Sequence, residues 1–239
     1  MTSSDENVPD ADADEDDGDR DRGPVAMFSL LQTVAIVALA VVVAVGVTLF
    51  FTRDDTGSFN DADLGFLTDM TTHHQGAITL GFEYLPNEND SVVGHTAREV
   101  ILAQSQEIAT MNNFLTEAGD AADQIANDDV AMEWMGHPVD PTDMPGMATA
   151  EELEGLAAAI GIEADDLFSR LMIVHHAAGA EMAEYEAEHG ENETVRSFAA
   201  KVAKIQRIEI AELNERRVAL GLEPVEPESF TGSGTTEHG

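Results

Sequence analysis

Residues 66–85 read FLTDMTTHHQGAITLGFEYL and residues 167–183 read LFSRLMIVHHAAGAEMA. Phe66, Met70, His73, His74, Ala97, Val100, Gln104, Glu107 and Ile108 recur as Phe168, Met172, His175, His176, Ala199, Val202, Gln206, Glu209 and Ile210, every pair 102 residues apart. A constant offset across both stretches, with no insertion, predicts two copies of one supersecondary unit. In the first copy Phe66, Met70, His73, Ala77, Leu80 and Tyr84 follow one another at steps of four and three, the spacing of a helical stripe. Val93, Ala97, Val100, Gln104, Glu107, Met111 and Phe114 form a second stripe after a break at Pro86 and Asn87. Each copy therefore reads as helix, short turn, helix.

Stop and start signals set the expected boundaries. The first copy runs over 59–119, with helices from about Asp61 to Leu85 and from Ser91 to Ala118, where Gly119 ends it. The second runs over 161–222, with helices from about Ala164 to His189 and from Asn192 to Leu220, before Gly221 and Pro224. Residues 120–160 form a connector rich in Asp, Pro, Gly and Met, and Thr149 with Glu152 makes a capping box for a short helix through Ile160. Two such hairpins close most simply into an antiparallel four-helix bundle over 59–222, since an open helical array needs more copies to bury its faces. The fold class is all-α.

Outside this domain the character of the chain changes. Residues 1–23 hold ten acids, two arginines and no apolar period, so they read as a disordered acidic tail. Pro24 to Thr52 contains no charged residue, and Val34 to Phe51 is almost wholly apolar, long enough at about 1.5 Å per residue to cross a bilayer core. Residues 24–52 are read as one transmembrane helix, in preference to a cleavable signal whose apolar run is shorter. Arg20 and Arg22 precede the span and only Arg53 closely follows it, which orients the C-terminal domain outward. Residues 53–58 serve as a linker and 223–239 as a second disordered tail.

The 47 Asp plus Glu against 11 Lys plus Arg give a formal net charge of −36, and only Lys201 and Lys204 are lysines. Such a surface repels polyanions and excludes an ordinary nucleic-acid binder. Uniform acidity with few lysines suits a chain from a salt-loving organism, where concentrated salt cuts the Debye length to about 3 Å. With no cysteine, metal chemistry has to come from His, Met, Asp and Glu.

Residues three and four apart are neighbours on a helix. Met70, His73 and His74 therefore concentrate a thioether and two imidazoles within one turn, and Met172, His175 and His176 do the same in the second copy. Thioether with imidazole and no thiolate suits copper, above all Cu(I). Gln104, Glu107, Gln206 and Glu209 on the partner helices are expected to stand behind these ligands and fix the histidine tautomers. Met132, Met135, Met144, Met147 and His137 lie in the connector, whose Pro and Gly break any helical stripe; they read as soft accessory ligands on a mobile segment, with end-packing as the other reading. Met111 and Met182 complete the accessory set, Met182 being expected in the core. His95 and His238 have no repeated partner and read as surface residues, and the acidic run Glu181–Glu191 reads as a solvated face.

The segments 66–85, VILAQSQEIATMNNFL (100–115), MPGMATAEELEGL (144–156), 167–183 and VAKIQRIEIAEL (202–213) resemble the family known as domain of unknown function 305. The resemblance covers residues 59–222. It implies a ferritin-like four-helix fold, exported or membrane-anchored, with copper binding among some relatives, and it places Met70, His73, His74, Met144, Met147, Met172, His175 and His176 on the family's recurring residues. Leu213 stands opposite Met111, and Leu80 opposite Met182, so the halves depart from one another.

These readings combine into a membrane-anchored, outward-facing protein that binds copper for buffering, resistance or delivery and is not an enzyme. Its partners are the metal ion, the membrane and, as one reading, a second copy of itself. A structural or partner-binding module with metal-free His–Gln–Glu networks is the alternative. A di-iron oxidase fits poorly, because only Glu186-x-x-His189 has the required spacing and Asn87 stands opposite His189.

Overall fold

The computed structural model describes residues 57–87, 91–125 and 130–230, all within the unit 56–239. Six α-helices occur among them: α1 (Asp61–Tyr84), α2 (Val92–Ala118), α3 (Asp120–Ile125), α4 (Ala150–Ala158), α5 (Ile162–His189) and α6 (Glu193–Ala219). No strand occurs among the described residues, only an isolated bridge between Ala131 and Val139. The fold is all-helical, as the stripes require. The span expected over 24–52 and the tail over 1–23 lie outside the described residues, and no described helix is long and apolar enough to cross a membrane.

Side-chain caps open three of the four long helices, α5 starting instead at Gly161 without one. Asn60 and Asp63 form a capping box at α1, Ser91 accepts from Val93 and Gly94 at α2, and Asn192 accepts from Thr194 and Val195 at α6; each satisfies amides that a helix start leaves unpaired. The Thr149–Glu152 box caps α4 as expected. Helix α1 packs along α2, α5 along α6, and α1 meets α5. That last contact brings the two Met-x-x-His-His segments together. One apolar cluster gathers Phe66, Leu67, Met70, Met111 and Met182 with connector residues; another gathers Leu80, Tyr84, Phe168, Met172 and Leu213.

Three expectations change. The connector is not a loose strand of exposed ligands: Met132, Met135 and Met144 are buried. Asp69 on α1 accepts the Met132 amide and the Trp134 indole N–H, each at 2.7 Å, and Trp134 lies over Gly65, where a Cβ would stand 2.3 Å from its ring. Residues 223–230, read as tail, run beside α6: Asn214 exchanges two hydrogen bonds with the Val225 backbone and Arg217 donates to the Glu223 carbonyl. Within the acidic run, Glu181 and Glu186 are buried rather than solvated, because the helix turns those two positions inward while Glu184 and Glu188 face out.

Glu186 belongs to a construction repeated at both ends of the domain. At one end Tyr84 of α1 and Ser91 donate to the buried carboxylate of Asp165 on α5. At the other, the positions 102 residues away exchange roles: Glu186 of α5 stands beside Asp63 of α1. Asp63 already accepts the amides of Asn60, Glu191 and Asn192, and Asn192 reaches the Gly57 carbonyl. Burial chiefly, then the hydrogen bond and charge of Asp63, push Glu186 up to about 9, with Arg196 opposing. A tyrosine holds its proton without help; a glutamic acid here must keep one.

The consequence for stability has a definite sign. Below its ordinary value of 4.5 Glu186 is protonated in both folded and unfolded chains, and between 4.5 and about 9 only the folded chain keeps the proton. This contribution is therefore complete in acid, declines by up to ~1.4 kcal/mol per pH unit, and is gone above the folded value. Glu186→Gln, whose amide donates to Asp63 at every pH, is expected to flatten that decline. Urea unfolding of both proteins at about pH 5, 7 and 9 measures it, and parallel curves would contradict the assignment.

Candidate metal centre

Where α1 meets α5, His73 and His175 lie face to face, ring centroids 3.8 Å apart and planes 20° from parallel. Both are fully buried. His73 Nε2 is 3.1 Å from the Pro145 carbonyl and His175 Nδ1 is 3.0 Å from the Gly146 carbonyl. A carbonyl only accepts, so these nitrogens carry the protons. The other two, His73 Nδ1 and His175 Nε2, are buried lone-pair nitrogens without a hydrogen-bond partner.

His74 and His176 turn the opposite way. His74 Nε2 lies 2.8 Å from Glu107 Oε2 and His176 Nε2 lies 3.0 Å from Glu209 Oε2, the latter at an angle unsuited to a hydrogen bond. Both histidines are fully buried, whereas the two carboxylates keep 19% and 22% of their side-chain surface exposed. The glutamates form a wet rim and not the buried network expected of them. Gln104 and Gln206 are buried, but neither amide has a hydrogen-bond partner; Gln206 presses on Gly179, where a Cβ would stand 2.5 Å from its Oε1. The anticipated His–Gln–Glu chain is thus reduced to His–Glu pairs, with the glutamine amides outside it.

Burial sets the electrostatics. It lowers His73 to about 3, aided by the charge of His74 and His176 and opposed by the Pro145 carbonyl. Burial likewise holds His175 well below the ordinary imidazole value, with His73, His176 and His74 adding to it against the Gly146 carbonyl. Both rings are neutral at physiological pH, so their free lone pairs are not consumed by protons.

The methionines are distributed unevenly. Met70, Met111, Met132, Met135, Met144 and Met182 share one apolar cluster, and Met172 sits in the other. Met147 is half-buried against the first of these clusters, and a Cβ on Gly76 would stand 2.8 Å from its Sδ and 3.4 Å from His175 Cε1. His137 is exposed, its ring edge-on to Phe230 with centroids 6.3 Å apart, and His95 is exposed. No group of three or more His, Asp or Glu suited to a metal ion occurs among the described residues. A metal at this centre would rest on imidazole and thioether together. Unpartnered buried imidazole nitrogens and methionine sulfurs are donor types that fit a soft ion such as Cu(I).

Sequence reasoning missed the parts that hold the centre in place. The Pro145 and Gly146 carbonyls leave no side-chain signature, and Asp69 is an unremarked acid one position before Met70. Gly76 did carry a signal, being a mid-helix glycine where position 178, at the repeat offset, is Ala; such a glycine destabilises a helix by about 1 kcal/mol and usually marks a close approach.

These features define a helical domain with a neutral histidine pair buried between two hairpins. The chain belongs to the family described as Domain of unknown function (DUF305), whose model matches residues 63–217. Among solved structures it is similar to a DUF305 protein from Streptomyces coelicolor, with 27% identity, a TM-score of 0.60, and coverage of 70% of this chain and 98% of that one. A DUF305 fragment from Deinococcus radiodurans gives 25% identity, a TM-score of 0.56 and coverage of 69% and 98%. CopM in the Cu(I)-bound form gives 24% identity, a TM-score of 0.47 and coverage of 66% and 96%. No curated protein matches the chain.

Asp69 offers a direct check on how the connector is held over this centre. Asp69→Ala leaves the Met132 amide and the Trp134 indole without their acceptor and is expected to lower stability by roughly 3 kcal/mol. Trp134 is the only tryptophan, so its emission should shift to the red as the connector loosens. Unchanged emission and an unchanged unfolding midpoint would show that apolar packing alone seats this segment.

Proposed function

We propose that this is a membrane-anchored, extracytoplasmic copper-binding protein whose four long helices form a ferritin-like four-helix bundle. Residues 24–52 anchor it, the domain faces outward, and its role is copper buffering, resistance or delivery rather than catalysis. The observation that carries this reading is the His73–His175 pair: two buried, neutral, stacked imidazoles, each with one nitrogen bound to a carbonyl and the other unpartnered. A pair serving packing alone would leave two buried acceptors unsatisfied, which costs free energy that an apolar pair avoids. Binding a cation through those lone pairs removes the penalty. His74 and His176, steadied by Glu107 and Glu209, are the next candidates to contribute. The acidic surface, adapted to concentrated salt, would gather cations and discourage polyanions.

Cu(I) bound at this centre would be held by imidazole nitrogen and methionine sulfur, which favour the reduced ion and keep it from water. The competing reading treats the histidines as architecture and assigns the surface to a protein partner. Competition for Cu(I) against a chromogenic chelator, anaerobically and in concentrated salt, separates the two. The wild-type chain is expected to withdraw Cu(I) and to melt at higher temperature when loaded, and His73→Ala with His175→Ala should weaken binding by at least about tenfold. No competition and no thermal shift would sink the copper assignment.

A further inference from the structure

We propose that Trp134 and Tyr185 form a two-step oxidation relay, which carries the vacancy left by a lost electron out of the methionine-rich interior to the surface of the domain. The relay uses side chains that the copper reading leaves idle, and it works with or without a bound metal.

Three observations carry it. First, the chain has one tryptophan and two tyrosines, and the tryptophan touches one of those tyrosines: the Trp134 and Tyr185 rings lie edge to face with centroids 5.4 Å apart. The 102-residue recurrence does not impose this contact, since Glu83 is the residue matching Tyr185. Second, Trp134 packs against the apolar cluster that holds Met132, Met135, Met144 and Met182. Its indole N–H donates to Asp69 Oδ2 at 2.7 Å, which sets an acidic acceptor where an oxidised indole carries positive charge, and such a bond strengthens as its donor becomes charged. Third, Tyr185 is half-buried and stacks on the exposed His189, with centroids 3.9 Å apart and planes 13° from parallel. The phenol hydroxyl makes no hydrogen bond among the described residues and is not one of the buried unpartnered atoms, so a proton released there passes to water.

A one-electron oxidant, such as an oxyl radical, takes one electron from a methionine thioether or from the indole itself. An indole is oxidised more easily than a thioether, so Trp134 refills the sulfur and becomes a radical cation whose N–H stays on Asp69. Tyr185 then gives one electron to the indole and its hydroxyl proton to water. The oxidant has gained one electron, thioether and indole are restored, and a neutral tyrosyl radical stands at the surface, where a reductant in solution supplies a hydrogen atom. Without that exit an oxidised thioether goes on to the sulfoxide, a polar group that a packed core does not accommodate. Tyr84 offers no such exit. It is fully buried in the other cluster, stacked on Phe168 with centroids 4.5 Å apart and donating to Asp165.

The test uses the full metal-free chain in detergent, oxidised at neutral pH by azide radicals from pulse radiolysis, which attack tryptophan in preference to tyrosine. In the wild type the absorption of the indole radical is expected to decay as that of the tyrosyl radical grows, with equal yield and at a rate independent of protein concentration. Tyr185→Phe removes only a hydroxyl that holds nothing, so helicity is retained; it should abolish the tyrosyl growth and lengthen the life of the indole radical, whereas Tyr84→Phe should behave as wild type. Under steady oxyl-radical exposure, peptide mapping of Tyr185→Phe should show more sulfoxide than wild type at Met132, Met135 and Met144. No tyrosyl growth in the wild type, or growth that survives Tyr185→Phe and is lost in Tyr84→Phe, overturns the relay. Transfer that depends on Tyr185 while the sulfoxide yields of variant and wild type are equal overturns its protective use. Neither outcome bears on copper binding, which the chelator competition reads separately.

Discussion

Two imidazoles stacked at the meeting of α1 and α5 impose a constraint that the surrounding structure has to satisfy. Burying an uncharged polar ring is tolerable only when its N–H finds an acceptor, and charging it there is far more costly. The connector brings two free carbonyls to the place where they are needed, and to do so it must turn sharply at Gly146 and lie flat on α5. Asp69, Trp134 and the buried methionines hold it there. Packing of the connector and protonation of the centre are thus one problem with one solution.

The two ends of the domain solve a second problem by different chemistry. Each has a buried aspartate on one long helix facing a residue on the other. Asp165 meets the phenol of Tyr84, a permanent donor. Asp63 meets Glu186, which donates only while protonated, and the same Asp63 carries the amides that tie α1 to the turn between α5 and α6. Only the Asp63 end relies on a carboxyl keeping its proton. Arg217 adds a further polar anchor, donating to Ser169 and Asp166 across α5 and α6 and to the Glu223 carbonyl of the closing segment. In a chain with 11 basic residues, spending a buried arginine on this contact makes residues 222–230 part of the domain.

Soft donors are divided between structural and chemical uses. Six methionines fill one apolar cluster, where their flexible side chains suit an irregular junction of two hairpins and a loop. A Cβ on Gly76 would meet both Met147 Sδ and His175 Cε1, so that sulfur and that ring flank a helix position left without a side chain. Residue type therefore does not distinguish a ligand from a packing group in this chain. The distinction comes from what each sulfur faces.

Much of this was open to reading in one dimension. The 102-residue recurrence, with stop residues such as Pro86, Gly119 and Gly190, located four long helices, their approximate ends and the two histidine pairs, because helical periodicity and stop signals act within a few residues of each other along the chain. Glu107 and Glu209 were legible as partners of His74 and His176 for the same reason: a hairpin brings nearby stripes together. What no spacing rule could supply was how the halves meet. That His73 should stack on His175, that Glu186 should face Asp63, and that the Pro145 and Gly146 carbonyls should choose the tautomers depend on contacts between residues far apart in sequence, through backbone atoms common to every residue type. Local hydrogen bonding and burial determined the elements; the close packing of α1, α5 and the connector decided which ring nitrogens are bonded and which are left without a partner.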